Sequence, residues 1–211
     1  MAKCRTPKGF WAIPATKRKM ALHAARGTKH GHQKKRQSMI FIDCESAGLR
    51  GQIFAAAIMA EDGEVLFDGF YRHDSLKTNE WLRENVEPNL TGIEFPNRDT
   101  FLRAAAAAWG FAKERYGVGE YKSLAAVAHM GSPVGANFFQ ELFEAGLIGE
   151  FAGPYPLLDT APLLLASGYD PDSEQTYAEK IGLSMPKGYK PHSALSDAAL
   201  TRAVWQSLRK K

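Results

Sequence analysis

The stretch MIFIDCESAGL, residues 39 to 49, begins as a buried strand and then sets two carboxylates, Asp43 and Glu45, where the interior of a sheet would normally continue. Side chains alternate faces along a strand, so these two acids project to one side, about 6.5 to 7 Å apart along the chain, while Ile42 and Cys44 point to the other. Two unpaired carboxylates at a mostly buried strand end repel, and they persist together only where a cation or a shared proton neutralises them. A divalent cation is the economical solution. Hard oxygen ligands suit Mg²⁺ or Mn²⁺, and a pair of such ions about 3.5 to 4 Å apart stabilises both the attacking and the departing oxygen of a phosphodiester. Asp-x-Glu alone does not exclude the plainer reading, two solvated acids at a strand terminus.

The charge of the chain is divided rather than mixed. Of its 27 Lys and Arg residues, 11 fall in residues 1 to 37, which contain no Asp or Glu, while all 23 acidic residues lie beyond. An acid-free basic arm of this kind is a nucleic-acid clamp, a solvated tail or an organelle transit peptide. The Lys-rich composition and the absence of Ser before Ser38 rank the transit peptide last. His23, His30 and His32 lie in the same arm without acidic or Cys partners and read as polar linker residues. GFWAIP, residues 9 to 14, is its apolar knot, suited to docking on the core or stacking on a base. The two cysteines, Cys4 and Cys44, are too few for a disulfide framework, which points to a reducing compartment. No apolar run approaches the roughly 18 residues of a spanning helix, so the expectation is a cytoplasmic protein with no membrane partner. The 211 residues suit one core plus an appendage: a basic extension over 1–37 and a folded domain over 38–211.

Beyond Gln37 the pattern is mixed α/β. Residues 39–43, 51–59 and 64–72 read as three strands of a meander, with AEDG as the turn between the second and third. Residues 76–97 are polar and turn-rich around NEWLRENV and read as a decorated loop. A long helix follows Asn97 as N-cap and stops at Gly117. Residues 123–129 read as a buried strand and 133–146 as a helix with Pro133 at its first position. Two more helices fit 173–181 and 193–208. Three antiparallel strands followed by alternating strands and helices imply a mixed central sheet flanked by helices. Trp81 and Phe95, aromatic and therefore capable of stacking on bases, read more readily as core residues.

A second stretch, PHSALSDAAL at residues 191 to 200, bears on the two acids. His192 falls on the entry to the last helix, and Asp197 about one and a half turns into it, so both can face one cleft. A histidine there suits a general base, and an aspartate completes a metal shell. FIDCESAGL and HSALSDAAL together resemble the first and third motifs of the DEDDh family of 3′→5′ exonucleases, the proofreading and RNase T-like group, over residues 38 to 208. The resemblance implies an RNase H-like fold with a mixed five-stranded sheet and two Mg²⁺ or Mn²⁺ ions. It also implies release of mononucleotides from the 3′ end of single-stranded DNA or RNA. Asp43, Glu45 and Asp197 would hold the metals, and His192 would activate water. Ser193 stands where the sister subclass has Tyr, which favours the histidine version. Relatives in this family often dimerise, so a homodimer is compatible with the resemblance.

The middle motif departs from the family. Its acid should open the helix after the fourth strand, and the corresponding stretch, PVGANFFQEL, has Gly135 in that place, aligned by Phe138 and Phe139. Asn137 and Glu141 are poor substitutes, because Glu141 lies one and a half turns further and faces elsewhere. Asp159 corresponds to an acid with a structural role. Gly135, natural or introduced, predicts a weakened second ion and an attenuated enzyme. The alternative is a degenerate exonuclease fold that binds nucleic acid without cutting it.

Overall fold

The structure, a computed structural model, describes residues 38 to 209. The expectations for the basic arm over 1–37 lie outside the described residues. Strands β1 (Met39–Ser46), β2 (Ile53–Ala60) and β3 (Val65–Tyr71) form the antiparallel meander, closed at the β2–β3 turn by Gly63 N–H donating to the Ala60 carbonyl at 2.9 Å. Helices α1 (Ser75–Thr78) and α2 (Glu80–Asn85) and a single 3₁₀ turn lead to a short strand β4 (Ile93–Phe95). Then come α3 (Arg98–Tyr116), β5 (Ala125–Ala128), α4 (Val134–Glu144), β6 (Leu157–Asp159), α5 (Ala161–Ala166), α6 (Glu174–Ile181) and α7 (Ala194–Leu208). The sheet runs β4-β3-β2-β1-β5-β6, with β4, β5 and β6 each parallel to its inner neighbour.

The mixed sheet flanked by helices is as the sequence implies, but it has six strands rather than five. The residues read as a decorated loop over 76–97 carry two short helices, a 3₁₀ turn and β4. Elements of three to six residues are too short to imprint a period, and β4 is fixed by its parallel pairing with Gly69 to Tyr71 rather than by its own sequence. The same brevity hid β6 and α5. Pro133 proves to be the N-cap of α4, one position before the helix begins. Asn97 caps α3 as expected, its Oδ1 accepting from Thr100 N–H at 3.0 Å, and Gly117 follows the last turn.

The two faces of β1 set the layers. Ile40 and Ile42, with Ile58 of β2, pack with Phe101, Leu102 and Trp109 of α3 and with Phe138 and Leu142 of α4. Phe41, Met59 and Val127 form a separate cluster with Trp205 of α7. Further toward the start of α7, Ala57 of β2 packs against Ala194 and Ala198. These methyl side chains, four apart on the helix and one on the strand, let the helix lie close to the sheet where the acids of β1 end. Leu164, Tyr177, Leu200 and Val204 join α5, α6 and α7. No helix among the described residues is long and apolar enough to cross a membrane.

The close approach is testable. Ala198 is fully buried, so Ala198→Leu overpacks the contact with Ala57 and should lower unfolding free energy by about 1–3 kcal/mol in a urea titration. An unchanged midpoint would mean that the helix stands off the sheet.

Candidate metal centre

β1 continues to Ser46, so both acids belong to the strand and alternate as predicted. Asp43 is opposite Ala57 and Glu45 opposite Ala55 in the pairing with β2, and the register shifts just after Glu45. The irregularity lies beside the site, one pair before the ladder ends at Ser46 and Ile53, a common place for strands to be bent. Asp197 arrives from α7. It lies in the first turn, as the fourth residue of the helix, not one and a half turns in: α7 begins only at Ala194, because Pro191 and His192 form a turn outside it. Carboxylate oxygens of Asp43, Glu45 and Asp197 lie within 4.8 Å of one another. The sequence brought these three residues together correctly.

They line a cleft of about 360 Å³ together with His192, Gly135 and Glu174. All three acids are half-buried, opening to the cleft rather than to bulk water. Burial, then the charges of Glu45, Asp197 and Glu174, drive the Asp43 carboxyl well above its usual range. Burial and the Asp197 charge raise Glu45 to about 7. Burial raises Asp197 too, opposed by the Tyr189 hydroxyl, the His192 charge and the backbone N–H groups of His192 and Ser193. The Tyr189 hydroxyl donates to Asp197 Oδ1 at 2.9 Å, and the phenol is itself raised by burial and by that carboxylate. Oxygen donors gathered this closely, with no Lys or Arg among the described residues that line the cleft, could hold a metal ion.

Glu174 was not anticipated. As the first residue of α6 it follows Ser173, whose hydroxyl caps Thr176 N–H at 3.1 Å, and cap plus first-turn acid is an ordinary helix start. Packing alone buries it. Thr160 and Thr201 donate their hydroxyls to its two oxygens at 2.5 and 2.8 Å. Burial raises Glu174 to about 7 despite those bonds. Glu174 lines the cleft but is not among the acids whose oxygens gather within 4.8 Å of one another.

The other residues weighed from the sequence as ligands have structural duties. Glu141 accepts from Ile53 N–H at 2.9 Å and from Arg98 at 2.8 Å. Asn137 donates to the Gly51 carbonyl at 2.9 Å. Asp159 accepts from the amides of Met130, Gly131 and Ala161 at 3.1, 2.8 and 2.9 Å, fastening the loop from β5 to α4. Gly135 lies at the second position of α4, buried against the cleft. A Cβ there would meet only Ala128 Cβ and Ile42 Cδ1, each at the ordinary contact distance of 3.8 Å. The position could hold a side chain; none is there to add a ligand. His192 lines the cleft beside Asp197, at a backbone φ of +58°, its ring 5.0 Å from that of Trp81. Trp81 is 52 % exposed, not the core residue its type suggested, because α2 turns it outward. Phe95 does pack on the core.

No family model matches this chain, and no curated protein matches it.

The raised carboxyls give stability a definite pH dependence. Between the ordinary glutamate value of 4.5 and about 7, the folded chain holds on Glu45 a proton that the unfolded chain has released. That contribution is fully present at low pH and is lost as pH rises through 7. With divalent cations chelated, the wild-type thermal midpoint should fall relative to Glu45→Gln as pH goes from about 5 to about 8. Added Mn²⁺ should narrow that difference. A gap that stays constant with pH would contradict the assignment of Glu45.

Proposed function

We propose that this chain is a metal-dependent 3′→5′ exonuclease that shortens single-stranded nucleic acid. What carries the proposal is the convergence of Asp43, Glu45 and Asp197, drawn from the first strand and the last helix, with His192 on the wall of the same cleft. Phosphodiester chemistry suits such a set, and the direction of digestion and the single-stranded substrate come from the resemblance to the DEDDh exonucleases.

Asp43, Glu45 and Asp197 would hold Mg²⁺ or Mn²⁺, which when bound neutralises their charge and stabilises the charge developing on the phosphodiester. The Tyr189 hydroxyl and the amides of His192 and Ser193 hold the Asp197 carboxylate in place. His192 takes the proton of the attacking water as a general base. The three acids suit one well-held ion. A second ion of a two-metal site would be weakened, since Gly135 contributes no donor. The basic arm, outside the described residues, is proposed to supply phosphate contacts that a cleft walled with carboxylates lacks.

Gly135 also favours a second reading, a nucleic-acid-binding module that no longer cuts. Digestion of 3′-labelled and 5′-labelled RNA and DNA oligonucleotides with Mg²⁺ or Mn²⁺ separates the two. The exonuclease releases label from the 3′ end first, and Asp43→Ala reduces the rate by about 100-fold or more. Gly135→Asp adds a ligand at a helix N-terminus, where an acid is electrostatically favoured, and should raise the rate. Retention of oligonucleotide without cleavage, by the parent and by Gly135→Asp alike, would establish the binding module instead.

A further inference from the structure

Ser193 occupies the N-cap of α7, yet its hydroxyl makes no capping bond to that helix. This is unusual for a serine in that position, whose oxygen ordinarily accepts from an amide of the first turn. The residue is fully buried, and its Oγ lies 3.2 Å from Thr91 Oγ1. Thr91 Oγ1 in turn donates to Asp68 Oδ1 at 3.3 Å. A threonine hydroxyl has one proton, so with that proton on Asp68 the Ser193 hydroxyl must be the donor to Thr91. A directed chain thus runs from a carboxylate on β3, through two hydroxyls, to the residue beside His192. Asp68 lies in the same row of the sheet as Asp43, each paired with Ala57 from opposite sides. The backbone beside Thr91 is pressed onto β3: a Cβ on Gly92, whose φ is +80°, would collide with the Asp68 carbonyl.

His192 needs such an anchor. Its φ of +58° is a conformation that residues with a Cβ seldom adopt, and it persists only where the surroundings over-determine it. The amides of His192 and Ser193 turn toward Asp197, and the Trp81 ring meets the imidazole edge-on at 5.0 Å. We infer that Thr91, seated on Asp68 and holding the Ser193 hydroxyl, is a positioning residue that fixes the His192 turn, so that the imidazole stays against Trp81 at the cleft. This rests on the proposed role of His192 as general base.

The test compares Thr91→Val, which keeps the shape and removes the hydroxyl, with Thr91→Ser, which keeps the hydroxyl. In the full chain with Mn²⁺, Thr91→Val should lower kcat by about tenfold or more while KM and Mn²⁺ affinity hold, whereas Thr91→Ser stays within about threefold of the parent. An unchanged kcat in Thr91→Val, or equal losses in both variants, overturns the inference. A second readout does not depend on activity: the nuclear Overhauser contact between the Trp81 and His192 rings should vanish in Thr91→Val and survive in Thr91→Ser. If the parent cleaves nothing, the exonuclease reading fails and this contact alone decides; its survival in Thr91→Val overturns the inference. Ser193→Ala opens the same chain at its other end and should reproduce the result if Thr91→Val does not fold.

Discussion

The mutual repulsion of three carboxylates is the constraint around which this molecule is arranged. At about 4 Å, two like unit charges repel by about 4 kcal/mol at an effective dielectric constant near 20. Folding places carboxylate oxygens of Asp43, Glu45 and Asp197 within 4.8 Å of one another. The packing enforces the proximity rather than relieving it. Ala57, Ala194 and Ala198 remove the bulk that would keep α7 off the sheet, and Tyr189 and two backbone amides grip the Asp197 carboxylate. A fourth carboxylate, Glu174, is buried behind them and raises the cost of ionising the group. A bound cation would relieve that repulsion.

The same residue type has a different fate wherever donors surround it. Asp159 receives three backbone amides, and Glu141 an amide and the guanidinium of Arg98, so each is satisfied by the protein. Asp43 and Glu45 have no comparable protein donors among the contacts described. Asp197 lies between these cases, held by the Tyr189 hydroxyl and the amides of His192 and Ser193 while its carboxylate still meets Asp43 and Glu45. Gly135, which lines the same cleft and has ordinary room for a side chain, contributes nothing to its charge.

Much of the site was legible in the sequence because it rests on period and polarity. Alternation along MIFIDCES placed Asp43 and Glu45 on one face, and the helical start after Pro191 brought Asp197 and His192 to the same end of the molecule. The long helix after Asn97 was readable from its cap, its alanine run and its terminal glycine. What escaped depended on tertiary packing. β4 and β6 exist because a neighbouring strand offers a ladder, not because three residues prefer to be extended. Glu174 looks like any first-turn acid until Thr160 and Thr201 close over it. Trp81 looks like core until α2 turns it toward His192. Ser193 stands at the N-cap of α7, and only the fold reveals that its hydroxyl serves Thr91 instead of the helix.

One cation shared by side chains from the first strand and the last helix would show itself by anomalous diffraction from a crystal of the protein soaked in Mn²⁺. We expect a single strong peak within coordinating distance of carboxylate oxygens from Asp43, Glu45 and Asp197 together. A map with no peak there, or with Asp197 turned away from an ion held by the other two, would rule out a shared ion.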